Sequence, residues 1–301
     1  MNVSSAQPGF VQKWWIAARP KTLPAATVPV IVGTAAAIKD RQFQLLPALA
    51  ALVGALLIQI GANFANDVFD FKKGADTAER LGPTRVTLAG LLTPRQVFTG
   101  MWVVFGLATL VGIYLVYVGG WPIVVIGIAS ILAAIAYTGG PFPLGYNGLG
   151  DIFVFIFFGL VAVCGTYYVQ AGTVGAVAWW SALPVGFLAT DILVVNNLRD
   201  IKTDRVAGKR TIAVRLGESG ARAEYAILLI LTYLVPLAMW LTGIAGPWML
   251  LSWLSLPVAW PIWQLVAHQE GRVLNKALGG TSRVELVYGV LFSIGLILSS
   301  M

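Results

Sequence analysis

The chain has 301 residues, of which 58% are hydrophobic and only 11% charged. A soluble domain carries about 25% charged residues, so a mainly water-facing surface is excluded. The net charge of +7 raises nucleic acid as a partner, but the placement of that charge, given below, points elsewhere.

Residues 1–22 contain Trp14, Trp15, Arg19 and Lys21, with no apolar run ahead of them. That reads as an amphipathic segment at a membrane interface, not as a cleavable signal. Apolar stretches follow at about 23–38, 45–66, 97–118, 121–137, 152–170, 177–198, 224–243, 247–267 and 285–301. As helices, runs of about 20 residues cross the roughly 30 Å hydrocarbon core. The first is short and carries Pro24 and Pro29, which a membrane helix tolerates when its neighbours satisfy the freed carbonyls. No alternating β-barrel pattern is present. The predicted fold class is all-α, with about nine transmembrane helices in a single domain over 1–301. Cys164, the single cysteine, lies inside a span and can form no internal disulfide.

With the N-terminus in the cytoplasm, 18 of the 20 Lys and Arg residues fall in the N-terminal segment and the inner loops; only Lys39 and Arg41 fall outside. This positive-inside pattern predicts the N-terminus in and the C-terminus out, at a cell membrane. It makes the basic charge mainly topological. The inner loops, about 71–96, 138–150 and 199–223, are long and polar, so chemistry is expected on the cytoplasmic face.

A faint internal repeat joins two of these loops. Asn63-Phe64-Ala65-Asn66-Asp67 closes the second span, and Asn196-Asn197-Leu198-Arg199-Asp200 closes the sixth, 133 residues later. Two parallel four-helix repeats plus one helix would put both segments on the same side.

The first cluster holds Asn63, Asn66, Asp67, Asp70, Lys72, Lys73 and Asp76; the second holds Asn196, Asn197, Arg199, Asp200, Asp204, Lys209 and Arg210. If the helices continue past the hydrocarbon, Asn63, Asn66, Asp67 and Asp70 can all lie toward one face, and Asp200 and Asp204 are again one turn apart. Carboxylates so spaced repel unless a cation sits between them. Mg²⁺ suits such a site, since it takes one or two carboxylates together with substrate phosphates. Asp67, Asp70, Asp200 and Asp204 are the predicted metal ligands. Neighbouring Lys and Arg would take remaining phosphate charge.

An Asn/Asp-rich segment after the second span and a second Asp-x-x-x-Asp after the sixth resemble the UbiA superfamily of intramembrane aromatic prenyltransferases. Three further stretches resemble the branch whose acceptor is 1,4-dihydroxy-2-naphthoate. They are Ala18-Arg19-Pro20-Lys21-Thr22-Leu23-Pro24, Gly82-Pro83-Thr84-Arg85-Val86 with Gly90-Leu91-Leu92-Thr93-Pro94, and Tyr137-Thr138-Gly139-Gly140-Pro141 through Tyr146 to Asp151. The resemblance implies helices around a central cavity and Mg²⁺-dependent transfer of a polyprenyl group from its diphosphate to the naphthoate. It also implies loss of CO₂ and a demethylmenaquinone product in menaquinone biosynthesis. The partners implied are the polyprenyl diphosphate, the aromatic acceptor and the lipid bilayer; no protein partner is implied.

On this resemblance Asn63 and Asn196 orient diphosphate or metal-bound water, and Lys73, Arg85, Lys209 and Arg210 meet diphosphate oxygens. Tyr137 stabilises the developing cation by its ring or contacts the leaving group, and Arg19 and Lys21 hold the acceptor's carboxylate. The chain departs from the superfamily's longer first motif at Gly74, leaving Asp76 without a clear role, and Asp191 is an unexpected acid within a span. His268 reads as a headgroup-level residue, and Phe153, Phe155, Phe157 and Phe158 as lipid-facing or core packing. Phytyl transfer or another aromatic acceptor are the alternatives within the superfamily. A transporter is the alternative from another class, but it would place its polar residues nearer the bilayer midplane.

Overall fold

The computed structural model describes residues 8–75 and 81–300, so Asp76 lies outside the described residues. Helix α1 (Phe10–Ala18) and a 3-10 turn (Pro20–Thr22) lead into α2 (Pro24–Lys39), α3 (Leu45–Lys72), α4 (Pro94–Gly119) and α5 (Trp121–Ala136). Then come α6 (Gly150–Val154), a π-helical stretch (Phe155–Val161) and α7 (Ala162–Ala171), which together make one span. Helices α8 (Ala176–Val206), α9 (Ile212–Leu241), α10 (Leu256–His268, preceded by the 3-10 segment Pro247–Ser255) and α11 (Leu274–Leu298) complete the bundle.

Seven of these segments are long and apolar enough to cross a membrane, and α2 makes an eighth when joined to the N-terminal helix, from which it is bent by 54°. The shorter α5 has 16 residues. Each predicted span falls on one of these segments, and the chain is a multi-pass membrane protein. Side chains such as Trp102, Leu107, Leu110, Ile227 and Leu234 stay exposed, as suits apolar residues solvated by lipid rather than water.

Two predicted boundaries are corrected. The seventh span begins at Ile212, not near 224, and is broken at Gly217, whose φ of +76° only glycine adopts freely. The ninth begins at Leu274, not near 285. Lys276, Gly279, Gly280 and Arg283 read as loop in the sequence because two charges and two glycines interrupt the apolar run. In the structure they lie on a helix and line a cavity, where charge and missing bulk are tolerated.

Helix lengths set the position of the polar clusters. Helix α3 has 28 residues and α8 has 31, or about 42 and 46 Å at 1.5 Å per residue. Both exceed the hydrocarbon thickness, so their C-terminal turns carry the acidic clusters beyond the apolar zone. The helix starts that follow are specified locally. Thr93 and Gln96 form a reciprocal capping box on α4, and the Thr211 hydroxyl accepts from Val214 N at 3.2 Å to start α9.

Helix α3 packs along α4, and α8 along α9, while α11 closes the bundle against α2 and α8. These pairings occupy corresponding places in the two proposed repeats. The π-helical stretch and α8 approach each other closely. A Cβ at Gly159 would lie 2.7 Å from the Gly186 Cα, and one at Gly186 would lie 2.7 Å from the Phe155 ring. No larger residue fits there, so backbone contact holds the cavity's aromatic wall in place.

Candidate active site

A cavity of about 1950 Å³ runs inside the bundle. Along α3 its lining extends from Ala51 to Asp70, about 28 Å of helix. Its walls are largely apolar, and its polar groups gather where α3 and α8 end. Asp70, Asp200 and Asp204 line it there, with Asn63, Asn66, Asn196, Asn197, Tyr137, Tyr146 and Lys209. The two clusters, far apart in sequence, therefore face one space.

Asp70 is 2% exposed. Its Oδ2 accepts from Arg85 at 2.7 Å and its Oδ1 from the Tyr146 hydroxyl at 2.5 Å. Asp200 receives the fork of Arg199, with Nε at 2.8 Å and an Nη at 2.5 Å. The same guanidinium donates to Asn196 Oδ1 at 2.8 Å and Asn275 Oδ1 at 3.0 Å, and Asn275 in turn donates to Leu81 O at 2.8 Å. Arg199 thus ties α8, α11 and the loop after α3 into one unit. Asp204 pairs with Lys209 at 3.3 Å. The ammonium groups of Lys73 and Lys209 lie 5.1 and 4.7 Å from the centre of the Tyr146 ring, within cation–π range.

Several predicted site residues take other places. Asp67 is 1% exposed and off the cavity wall. Its carboxylate accepts from Val86 N at 3.0 Å, Thr87 N at 3.1 Å and the Thr87 hydroxyl, and Arg19 lies 3.8 Å away. Those bonds consume its lone pairs in folding the loop after α3 against the bundle. Arg85 is also off the wall and buried, and it donates to Asp70. Lys73 does not line the cavity; it donates to Thr138 O at 2.8 Å and Gly140 O at 3.1 Å, anchoring the loop between α5 and α6. The Arg210 side chain is exposed and off the wall, and only its backbone N–H engages this region, donating to Tyr146 O at 2.7 Å.

The remaining predicted site residues line the cavity, whereas Asp191 and His268 do not. Asn63 lines it and donates to Ala18 O at 2.9 Å and to the Thr22 hydroxyl at 3.0 Å, fixing the bent entry to α2. Arg19, at the bend, has a left-handed φ of 52°, an uncommon conformation for a non-glycine residue. It lines the cavity, as does Lys21. Asp191 is fully buried on α8 and off the wall, and among the described residues its carboxylate has no hydrogen-bond partner. Exposed His268 bonds the Gln264 carbonyl at 3.0 Å.

The structure adds residues that the sequence left unassigned. Tyr146 and Arg199 bind the carboxylates just described. Lys276 and Arg283 of α11 line the cavity, as do Phe153, Phe157 and Phe158. Those three rings are cavity wall, which corrects their first reading; Phe155 instead stacks on Phe187 with ring centres 5.3 Å apart.

The arrangement meets the requirements of a diphosphate–metal site. Three hard-oxygen carboxylates from two helices face one cavity beside Lys209. Among the described residues no three metal-ligating side chains converge into a closed cage. That donor set fits Mg²⁺ completed by substrate phosphate and water rather than an all-protein site.

The UbiA prenyltransferase family matches residues 26–279. The chain is 40% identical to the 1,4-dihydroxy-2-naphthoate octaprenyltransferase of Escherichia coli (strain K12), over 99% of both chains. It is 40% identical to the protein of the same name from Mycobacterium tuberculosis, over 92% of this chain and 94% of the other. Among solved structures it is similar to an apo UbiA homolog from Aeropyrum pernix K1, with a TM-score of 0.70 at 17% identity, covering 90% of this chain and 97% of that one. It is also similar to a UbiA homolog from Archaeoglobus fulgidus bound to GPP and Mg²⁺, with a TM-score of 0.64 at 15% identity, covering 93% and 99%. At those identities the structures establish the shared fold.

Proposed function

The chain belongs to the UbiA prenyltransferase family, and from that premise we propose that it transfers a polyprenyl group from its diphosphate to 1,4-dihydroxy-2-naphthoate in a Mg²⁺-dependent reaction. A ring carbon of the acceptor forms the new C–C bond to the allylic carbon. The C–O bond breaks with its electron pair going to diphosphate, the prenylated ring carbon releases its proton, and the carboxylate leaves as CO₂ with a proton taking its place on the ring. The product is demethylmenaquinol, the reduced form of demethylmenaquinone. The observation that carries this reading is the convergence of Asp70, Asp200 and Asp204 at the polar end of one long apolar cavity. The names of the relatives supply the acceptor.

Asp70, Asp200 and Asp204 are the groups that would hold Mg²⁺. When bound, the metal supplies positive charge that stabilises the departing diphosphate. Lys209 lines the same end and adds charge on the phosphate oxygens. Asn63, Asn66, Asn196 and Asn197 present amides that orient the diphosphate or its waters. Arg199, Arg85 and Tyr146 hold the carboxylates in place before substrate arrives. Asp67 serves as the anchor of the loop after α3, in place of the metal role predicted for it. Tyr137 offers its ring to the allylic cation. Apolar walls exclude bulk water, which would otherwise trap that cation. Arg19 and Lys21 are the cations on the acceptor side. The polar end faces the cytoplasm, the C-terminus faces outward, and the protein resides in the cell membrane.

Purified protein in nanodiscs, supplied with dihydroxynaphthoate, a polyprenyl diphosphate and Mg²⁺, should release CO₂ and form the prenylated naphthoquinol, detected by mass spectrometry. Transfer to another aromatic acid with none to dihydroxynaphthoate would overturn the acceptor assignment.

A further inference from the structure

The proposed reaction brings two anions into the cavity, and the acidic cluster accounts for only one of them. The diphosphate belongs with the carboxylates and their metal. The second anion is the carboxylate of the aromatic acceptor, which an acidic cluster repels. It needs a cationic seat away from Asp70, Asp200 and Asp204.

Helix α11 carries one. Lys276, Gly279, Arg283 and Leu286 all line the cavity, and their spacing puts them on one stripe of the helix. Lys276 stands beside Asn275, which bonds Arg199, so it sits near the level of the acidic cluster. Arg283 lies two turns further into the span, about 10 Å along the helix. Both side chains are exposed, and no ion pair among the described residues involves either. An arginine inside a membrane helix, turned to a cavity and with no ion-pair partner among the described residues, is costly unless a ligand supplies the charge.

The space beside these cations is open at Gly279. Between them, a Cβ at Gly279 would meet no atom within 4 Å, whereas one at neighbouring Gly280 would lie 2.2 Å from Ile262. Gly280 is therefore a packing glycine against α10, while Gly279 leaves open cavity. The Pro20–Thr22 turn packs against α11, and its Lys21 lines the same cavity.

We propose that Arg283, with Lys276, binds the carboxylate of the aromatic acceptor in place of Arg19 and Lys21, which remain cations at the cavity's entry, and that the gap at Gly279 receives its ring. This rests on the acceptor class proposed above. The stripe then separates the two anions by charge: the diphosphate goes to the metal-binding end and the carboxylate to α11. It also explains how an apolar cavity distinguishes an aromatic acid from a neutral phenol, since only the acid satisfies the guanidinium.

The test is equilibrium binding by the full-length protein in phosphatidylcholine nanodiscs, where no anionic headgroup competes, with empty nanodiscs as the control for partitioning. The probes are 1-hydroxy-2-naphthoate, which keeps the carboxylate, and 1-naphthol, which lacks it. Wild-type protein should prefer the naphthoate by at least about tenfold. Arg283→Gln should abolish that preference, Arg283→Lys should restore part of it, and Lys276→Gln should reduce it. Gly279→Leu, whose Cβ meets no atom within 4 Å, should weaken both probes. In turnover, Arg283→Gln should raise KM for the acceptor while KM for the prenyl diphosphate stays within about twofold. An unchanged preference in Arg283→Gln, or a rise in KM for the diphosphate instead, overturns the proposal. Binding is read without turnover, so carboxylate-dependent binding with no prenylated naphthoate product would instead count against the proposed reaction.

Discussion

The Tyr146 hydroxyl donates to Asp70 Oδ1 at 2.5 Å while Arg85 holds the other oxygen of the same carboxylate at 2.7 Å. One cavity-facing acid is thus gripped from two different loops, and folding of those loops becomes a condition for presenting it. The Tyr146 ring also lies beneath two ammonium groups, so it positions Lys209 as well as Asp70.

Removing the hydroxyl alone separates these two contributions. Tyr146→Phe keeps the ring and its cation–π contacts but leaves Asp70 short of a donor. A hydrogen bond to a charged group contributes about 1.5–3 kcal/mol, so kcat should fall roughly 10- to 100-fold if the full amount acts on the transition state. Tyr146→Leu, which also removes the ring, should lower it further. Steady-state kinetics at saturating Mg²⁺ measures both.

Asp67 and Asp70 should respond differently despite being one turn apart. Asp70→Asn, Asp200→Asn or Asp204→Asn each takes a charge from the cavity wall and should cut turnover by about a thousandfold or more. Asp67→Asn replaces with an NH₂ donor one of the two oxygens that accept from two backbone N–H groups and a hydroxyl. Its cost should appear as about 1–3 kcal/mol of lost stability, with the Mg²⁺ concentration for half-maximal activity unchanged in the folded fraction. A thermal melt and a Mg²⁺ titration on the same samples check this. A large shift in the Mg²⁺ midpoint would return Asp67 to the metal site.

That contrast shows what a sequence can and cannot say here. Composition was enough for the membrane class, because an 11% charged chain cannot cover itself in water. Helical spacing was enough to join Asp70, Asp200 and Asp204, because both clusters end long helices. Asp67 shares that spacing, but its direction depends on where the Val86 and Thr87 amides come to rest, which no local pattern reports. Tyr146 was equally hidden: its partner Asp70 lies 76 positions away, in another loop. Arg283 was misread for the opposite reason. A charge within an apolar run looks like a helix end unless the cavity beside it is known.

The apolar end of the cavity makes a prediction about chain length. Gly112 of α4 lines the cavity, and a Cβ there meets no atom within 4 Å. It lies 18 residues along α4, which starts at Pro94 near the inner face, so it stands about 27 Å from that end. Gly112→Phe should leave the fold intact and fill this far region. Farnesyl diphosphate should remain a substrate, while a long polyprenyl diphosphate should lose at least about tenfold in kcat/KM. Competition between the two donors, with products separated by mass, reads this directly.

Arg199 offers the sharpest test of how the second acidic cluster is built. Its side chain is buried, and its guanidinium bonds Asp200 twice, Asn196 once and Asn275 once. A lysine keeps the positive charge but cannot reproduce that planar fork. If Arg199 served only to neutralise Asp200, Arg199→Lys would be nearly silent. The geometry predicts otherwise, because losing the bond to Asn275 also releases the contact from Asn275 to Leu81 O. Arg199→Lys should therefore lower kcat by about 10- to 100-fold and increase proteolytic cleavage in the loop after α3. Asn275→Leu should reproduce the loop's exposure, with a smaller loss of activity because the Arg199–Asp200 fork survives. Limited proteolysis beside kinetics on these two variants distinguishes a positioning network from simple charge pairing, and equal cleavage of wild type and both variants would rule the network out.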